Sequence, residues 1–566
     1  MRATKPCLFS VATVVTCSLL LAVSGCVPRS APSKSADVAA RPQSVQPGDA
    51  GPPWSNQWAR DAVFYELFVR SFQDSNGDGI GDLRGLIARL DELNDGNPDG
   101  GDDLGVTGLW LMPVFASPSY HGYDVTDYRA INPDYGTLDD FKLLLAEAHK
   151  RGIRVIVDFV INHSSAQHPW FVDSASSPTS AKRDWYSWRK DDPGWTQPWG
   201  GNNRTWHKLG DAYYFGLFWG GMPDLNLTNP AVRAEMEATA KYWLDLGLDG
   251  FRLDAAKHII ECGDGQQADC PETHEYWRSF SRYVRSVKPD ALLVGENWSD
   301  TDKIAAYFGS TERVPGGDEL PASFNFPLAS ALVKALRSGD ALAVRSTLDD
   351  MRREYPAGAI DAPFLTNHDM PRLASMLDGL ADVGARLRQA PALLMTMSGA
   401  PFLYYGEEVG ITQGRGNGDE AKRTPMPWDG TNNAGFTSGA PWYELAPGWQ
   451  SRNVATQRAQ PNSVWQSYRR WIAARRSSIA LREGSLELLQ PAGDNDALLA
   501  FTRTTKTESA LVLHNVGDSE LDVDLASLPT DLTPLLLDPG ITLTGTKAHL
   551  PPHSSAIWTS PHPIKH

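Results

Sequence analysis

Short apolar runs alternate with amphipathic stretches along the chain from about residue 60 onward. The runs are Val63–Phe68, Gly108–Met112, Arg154–Phe159, Gly250–Asp254, Leu292–Glu296, Ala322–Asn325, Ala362–Leu365 and Phe402–Tyr405. Between them lie stretches with helical character. Thr137–Lys150 has a capping threonine, an acidic first turn and a basic end, and Pro230–Leu246 is similar. This alternation is the signature of βα units around a parallel sheet, and eight strands are the number that closes a barrel. The predicted fold class is therefore α/β, a (β/α)8 barrel.

The rhythm breaks twice. Residues 164–222 show no βα alternation and are dense in Trp, Gly and Asp. A structureless loop of that length is unusual in a compact domain, so an inserted domain is predicted over 164–223, leaving the end of strand three and overhanging the active-site face. Beyond residue 483 the runs Ala497–Arg503 and Ala510–Val516, separated by polar turns, predict a C-terminal antiparallel β-sandwich domain over 483–566. The barrel is then assigned to 54–163 and 224–482. A chain of 566 residues is long enough for this division.

The first 26 residues read differently. Arg2 and Lys5 precede an apolar run, Leu8–Val23, that is shorter than a membrane-spanning helix and reads as a secretory signal. It ends in Val23-Ser-Gly-Cys26, which resembles the lipobox of bacterial lipoproteins, with Cys26 as the lipidated first residue of the mature chain. Residues 27–53, rich in Ser, Ala, Pro and Gln, suit a flexible tether. The chain is thus expected to be exported and held at a membrane only through lipid, in the periplasm, outer membrane or cell surface. Cys262 and Cys270, eight residues apart in an oxidising compartment, read as one disulfide rather than a two-thiol metal site.

Charge narrows the partners. A formal net charge of −16 argues against nucleic acid, which needs clustered cations, and against an anionic substrate. Nineteen Trp and 17 Tyr supply flat faces with polar edges for a neutral ligand, although core packing is an equally ordinary use for them. A monomer is expected.

Three acids stand at or near the ends of the apolar runs: Asp254, Glu296 and Asp369. A carboxylate ending a buried strand is costly unless it is used, and retaining glycoside hydrolysis uses two carboxyl groups, one as nucleophile and one as acid/base. Arg252, two residues before Asp254 on the same strand face, suits an ionised nucleophile. Glu296 follows Val294-Gly295, an apolar setting that would raise its pKa as a proton donor requires. Asp369 follows Asn367 and His368, which can bond sugar hydroxyls.

Asp158-Phe-Val-Ile-Asn-His163, Gly250-Phe-Arg-Leu-Asp254-Ala-Ala-Lys-His258, Gly295-Glu296-Asn297 and Phe364-Leu-Thr-Asn-His368-Asp369 together resemble, in order, the four signature regions of the α-amylase family of glycoside hydrolases. Met222–Asn226 and Gly406–Ile411 resemble two further motifs, so the likeness spans roughly 55–480. It implies Asp254 as nucleophile, Glu296 as acid/base and Asp369 as transition-state stabiliser. Tyr123, Asp124, His163, Arg252 and His368 would line the subsite of the attacked sugar, with Lys257 and His258 on the sugar beyond the cleaved bond. Ala255 after the nucleophile resembles members that cut α-1,4 bonds, whereas Arg423–Trp428 resembles the oligosaccharide-acting branch. The expected substrate is starch or maltooligosaccharide. A glycosyltransferring relative such as a glucanotransferase or trehalose synthase, and a non-catalytic glycan-binding protein, are the competing readings.

A separate signal is Asp74-Ser-Asn76-Gly-Asp78-Gly-Ile80-Gly-Asp82. Oxygen ligands on alternate residues, with the Ile80 carbonyl among them, suit Ca2+. Gly85 stands where an EF-hand needs Glu, so the segment instead resembles the calcium loop after the first barrel strand in several α-amylase subfamilies. A second calcium at Asn162 and the His258 carbonyl is the weaker expectation.

Overall fold

The computed structural model describes residues 51–97, 101–489, 495–525 and 531–562, which fall in one compact unit. Cys26, the expected signal segment and nearly all of the expected tether lie outside these residues. Eight parallel strands form the centre: β1 Phe64–Leu67, β2 Gly108–Leu111, β3 Arg154–Phe159, β4 Gly250–Leu253, β5 Leu292–Gly295, β6 Ala322–Phe324, β7 Ile360–Ala362 and β8 Phe402–Tyr404. They pair in the order β7-β6-β5-β4-β3-β2-β1-β8, and a parallel bridge between Phe364 and Phe402 joins β7 to β8. The predicted (β/α)8 barrel is the fold.

Strand β7 needs correcting. It covers 360–362, not 362–365. Pro363 ends it, because proline has no N–H to give the ladder, although its carbonyl still accepts the Phe402 N–H at 2.8 Å. Asp369 therefore stands in the loop seven residues past the strand end, not on it. Asp254 and Glu296 each lie one residue beyond β4 and β5.

Period-two alternation sorts the strand residues. Phe64, Trp110, Ile156, Leu292, Val294, Phe324 and Phe402 fill the barrel interior, while Tyr65, Leu109, Val155, Phe251 and Leu293 face the surrounding helices. The helix Leu138–Lys150 starts with a reciprocal capping box between Thr137 and Asp140.

After β3 the chain forms a helix, Pro169–Ser176, and a small antiparallel sheet of Trp188–Arg189, Ala212–Phe215 and Trp206–Leu209. It rejoins the barrel through the bridge His163–Asp224. At the C-terminal end a five-stranded and a three-stranded antiparallel sheet enclose Leu498, Leu511, Leu513, Val523, Leu550 and Trp558. The alternate residues Leu499, Phe501, Val512 and Ile557 belong to the barrel's core instead. The larger sheet is thus buried on both faces, which explains its nearly unbroken apolar runs. Cys262 and Cys270 are joined by a disulfide.

Candidate active site

A cavity of about 700 Å3 opens at the C-terminal end of the barrel, where barrel enzymes gather their loops. Its wall includes Asp254, Glu296, Asp369, Tyr123, His163, Lys257 and His258. Beneath it lies a charged layer inside the barrel. Glu66 on β1, Asp158 on β3 and Arg252 on β4 are the inward-facing residues next to the apolar interior, and each is about 99–100% buried.

Arg252 organises this layer. Its two terminal nitrogens reach Asp158 at 2.7 Å, Asp254 at 2.6 Å and Glu296 at 2.9 Å. One guanidinium therefore holds both carboxylates implied for chemistry, a task its planar fork suits. Strand register agrees, since Leu253 pairs with Gly295 and the next residue on each strand is the acid. Glu296 also accepts the Ala255 N–H at 2.9 Å. It thus sits against polar donors, unlike the apolar setting the sequence suggested, because the tight turn at Ala255 (φ 48°) aims that N–H at it.

Burial is the main force on Asp254. It pushes the carboxyl up to about 8, with Glu296, Asp158 and Asp369 adding to the rise and Arg252 opposing it.

A second chain of polar contacts joins this cluster through the Tyr123 hydroxyl, which donates to Asp158 at 3.0 Å. Glu66 accepts from His368 Nδ1 at 2.6 Å. His368 Nε2 lies 2.6 Å from the Tyr123 hydroxyl and 3.0 Å from Asp369, and Asp369 is paired with Arg423 at 2.9 Å. Burial alone would lower His368, but Asp369 and Glu66 outweigh it and bring it to about 9. Burial would raise Asp369, yet His368, Arg423 and Arg252 hold its carboxyl far below the ordinary range. The pair is an imidazolium and a carboxylate at neutral pH. Burial depresses His163 to about 3 and His258 to about 4, so both are neutral.

Three residues implied by the resemblance sit differently. Arg252 and His368 are buried behind the wall rather than part of its lining. Asp124 does not line the cavity: its carboxylate accepts from the Ser117 hydroxyl at 2.7 Å and from Ser119. Several wall and support residues were not singled out from sequence: Glu66, Asp158, Arg423, Asp419, Trp199, Trp219 and Trp298. A charge two residues after an apolar strand position would have signalled Glu66 and Asp158. The tryptophans carried no such mark.

In the loop 74–82, Asp74, Asn76 and Asp78 each accept a backbone N–H two residues on, at 2.9, 2.9 and 2.8 Å. Their side-chain oxygens are the donor type that calcium takes, but Asp74, Asp78 and Asp82 do not bring three carboxylate oxygens within 4.8 Å of one another. Asp82 accepts from Ser75 and caps the following helix through Gly85. The loop is docked on 436–442 through Asp74 N–H to Phe436 and Trp442 N–H to Gly79.

The α-amylase catalytic-domain family model matches residues 66–484, and the model of the SusG α-amylase C-terminal domain matches 498–557. The chain is 39% identical over 472 residues to α-amylase 3 of Dictyoglomus thermophilum, covering 82% of this chain and 87% of the relative. It is 34% identical over 528 residues to an oligo-1,6-glucosidase of Parageobacillus thermoglucosidasius, covering 81% and 91%. The crystal structure of an α-amylase from H. orenii superposes with a TM-score of 0.77 at 37% identity, covering 88% of this chain and 99% of that one.

Proposed function

The chain belongs to the α-amylase family of glycoside hydrolases, and from that premise we propose that it cleaves α-1,4-glucosidic bonds of starch or maltooligosaccharides with retained configuration. The observation that carries this reading is the single guanidinium shared by Asp254 and Glu296. Adjacent strand-end acids on one cation suit the retaining separation of about 5–5.5 Å better than the about 6.5–9.5 Å that leaves room for an inverting water.

Asp254 attacks the anomeric carbon while Glu296 protonates the glycosidic oxygen, giving a glycosyl ester and a free sugar hydroxyl. Glu296 then takes a proton from water, which releases the glycosyl group from Asp254. For this step Asp254 must be ionised and Glu296 must carry the proton. Asp369, kept ionised by His368 and Arg423, faces the positive charge that develops on the ring. Tyr123 stacks on His368 at 5.7 Å and offers the attacked sugar a flat floor.

Ala255, with Lys257 and His258 following, favours the α-1,4 bond. The family also holds oligo-1,6-glucosidases, so bond type is the point to test. Wild type and Asp254→Asn are compared on maltoheptaose and on isomaltooligosaccharides, with product anomers followed by NMR. Short α-configured maltooligosaccharides from wild type alone support the reading. Turnover of isomaltooligosaccharides only, or products longer than the substrate, would replace it with a glucosidase or a transferase.

Two further assignments belong to this reading. Asp74, Asn76, Asp78, Asp82 and the Ile80 carbonyl would hold one calcium ion, whose chemistry there is to neutralise the loop's carboxylates. Cys26 would carry the lipid that anchors an exported enzyme.

A further inference from the structure

A second cavity, of about 300 Å3, opens at the end of the barrel opposite the catalytic cleft. Of its lining, Ala62 and Thr107 stand just before β1 and β2, and Arg154 opens β3. Its volume is at the lower end of small-molecule sites. Three lining residues are arginines, Arg154, Arg476 and Arg482, and one is an acid, Asp61. That balance runs against a chain whose formal net charge is −16. Like charges gathered in one recess repel each other unless an anion joins them.

The neighbouring acids leave part of this positive charge uncompensated. Arg482 donates through Nε to Asp61 at 2.8 Å, and through a terminal nitrogen to the Arg476 carbonyl. Arg154 donates to Asp249 at 2.8 Å and stands 3.9 Å from Asp290. Asp249 also meets His149 at 2.6 Å and Lys288 at 3.5 Å, so its one negative charge is shared. Arg476 pairs with no carboxylate among the described residues, and its guanidinium meets the Gly105 carbonyl at 3.4 Å.

The recess is also braced. The Arg154 guanidinium lies over the Trp58 ring at 5.3 Å, and the Trp58 indole N–H donates to the Asp290 carbonyl at 2.8 Å. Guanidinium groups held in place lose little freedom when they fork onto an oxyanion.

We infer that this cavity is a binding site for a phosphate group, borne by inorganic phosphate or by a phosphorylated sugar. The oxygens of a phosphate can accept from several guanidinium N–H groups at once, and its charge supplies what the lining lacks. A membrane surface suits the site poorly. The exposed acids Asp61, in the lining, and Glu483, next to Arg482 in the chain, oppose a sheet of anionic headgroups. Arg154 belongs to β3, whereas Arg476 and Arg482 belong to the helices Val464–Ser477 and Ile479–Glu483, which lead into the C-terminal sheets. A phosphate shared by these arginines ties that connection to the barrel and stabilises the fold, far from the reacting bond.

The test is isothermal titration calorimetry on the full chain, at an ionic strength held constant with chloride so that screening does not change. Inorganic phosphate is expected to bind wild type with a Kd of about 1 mM or tighter, and to raise Tm with concentration. Arg476→Ala should weaken binding by about tenfold or more, the loss of a hydrogen bond to a charged group. Arg476→Lys, which keeps the charge but not the fork, should fall between. Glucose 6-phosphate titrated in parallel identifies the carrier: tighter binding than inorganic phosphate assigns a phosphorylated sugar, and equal or weaker binding assigns the bare anion. No saturable binding of either ligand to wild type, or equal affinity in wild type and Arg476→Ala, would overturn the site. Neither readout depends on glycosidic cleavage, so the outcome stands apart from the proposed activity.

Discussion

Replacing Arg252 by Met removes the one cation that Asp158, Asp254 and Glu296 share. A hydrogen bond to a charged group contributes about 1.5–3 kcal/mol, and one pKa unit corresponds to about 1.4 kcal/mol. Losing its bond to Arg252 should therefore raise Asp254, already pushed up to about 8, by a further one to two units. The nucleophile must be ionised, so the acid limb of kcat/KM moves to higher pH by that amount. Below the limb the rate falls by about 10- to 100-fold, and much of it returns as pH rises. Arg252→Lys keeps the charge but not the fork, and should fall between. The assay is kcat/KM on α-maltosyl fluoride from pH 5 to 10, alongside thermal melts that establish folding. An acid limb that stays where wild type has it would refute the argument, as would a loss that is the same at every pH.

The other expectations are more compact. Glu66→Gln removes one of the two anions that hold His368 at about 9. A raised histidine stabilises the fold below its ordinary value near 6.5, and that contribution is lost as pH rises through 9. The variant should therefore show a smaller drop in Tm between pH 6 and pH 10 than wild type; an equal drop would place the titration elsewhere. Cys262→Ser opens an eight-residue loop and should cost about 2–3 kcal/mol of stability, measured by denaturant titration, with kcat unchanged at 25 °C. Chelation should lower Tm while metal analysis finds one calcium per chain, and Asp78→Ala should abolish both the ion and the effect. Cys26→Ser should move the protein from the membrane fraction to the soluble one, read by immunoblot.

Strand positions, and the three acids that the fold brings to one cavity, were legible because both follow from local rules. A buried strand must be an apolar run, and the signature residues sit at fixed offsets from it. The seventh strand misled because Phe364 and Leu365 continue the apolar run past Pro363, where the ladder cannot continue. Glu296 misled for a different reason. Val294 and Gly295 are apolar in sequence, but the donors that reach its carboxylate come from Arg252 on the neighbouring strand and from Ala255 in the turn after it. Asp124 is adjacent to a wall residue in the chain and yet outside the wall in space.

By itself the sequence determined the alternation of strands and helices, the order of the signature segments and the chemical types available to the site, since each depends on residues within a few positions of one another. The tertiary structure alone decided which charges share Arg252, which histidine is an imidazolium and which of nineteen tryptophans face the cleft. Those properties depend on burial and on neighbours up to 302 residues away, as between Glu66 and His368. Closing the barrel brings such residues within hydrogen-bond reach and takes them out of water, where their charges interact most strongly.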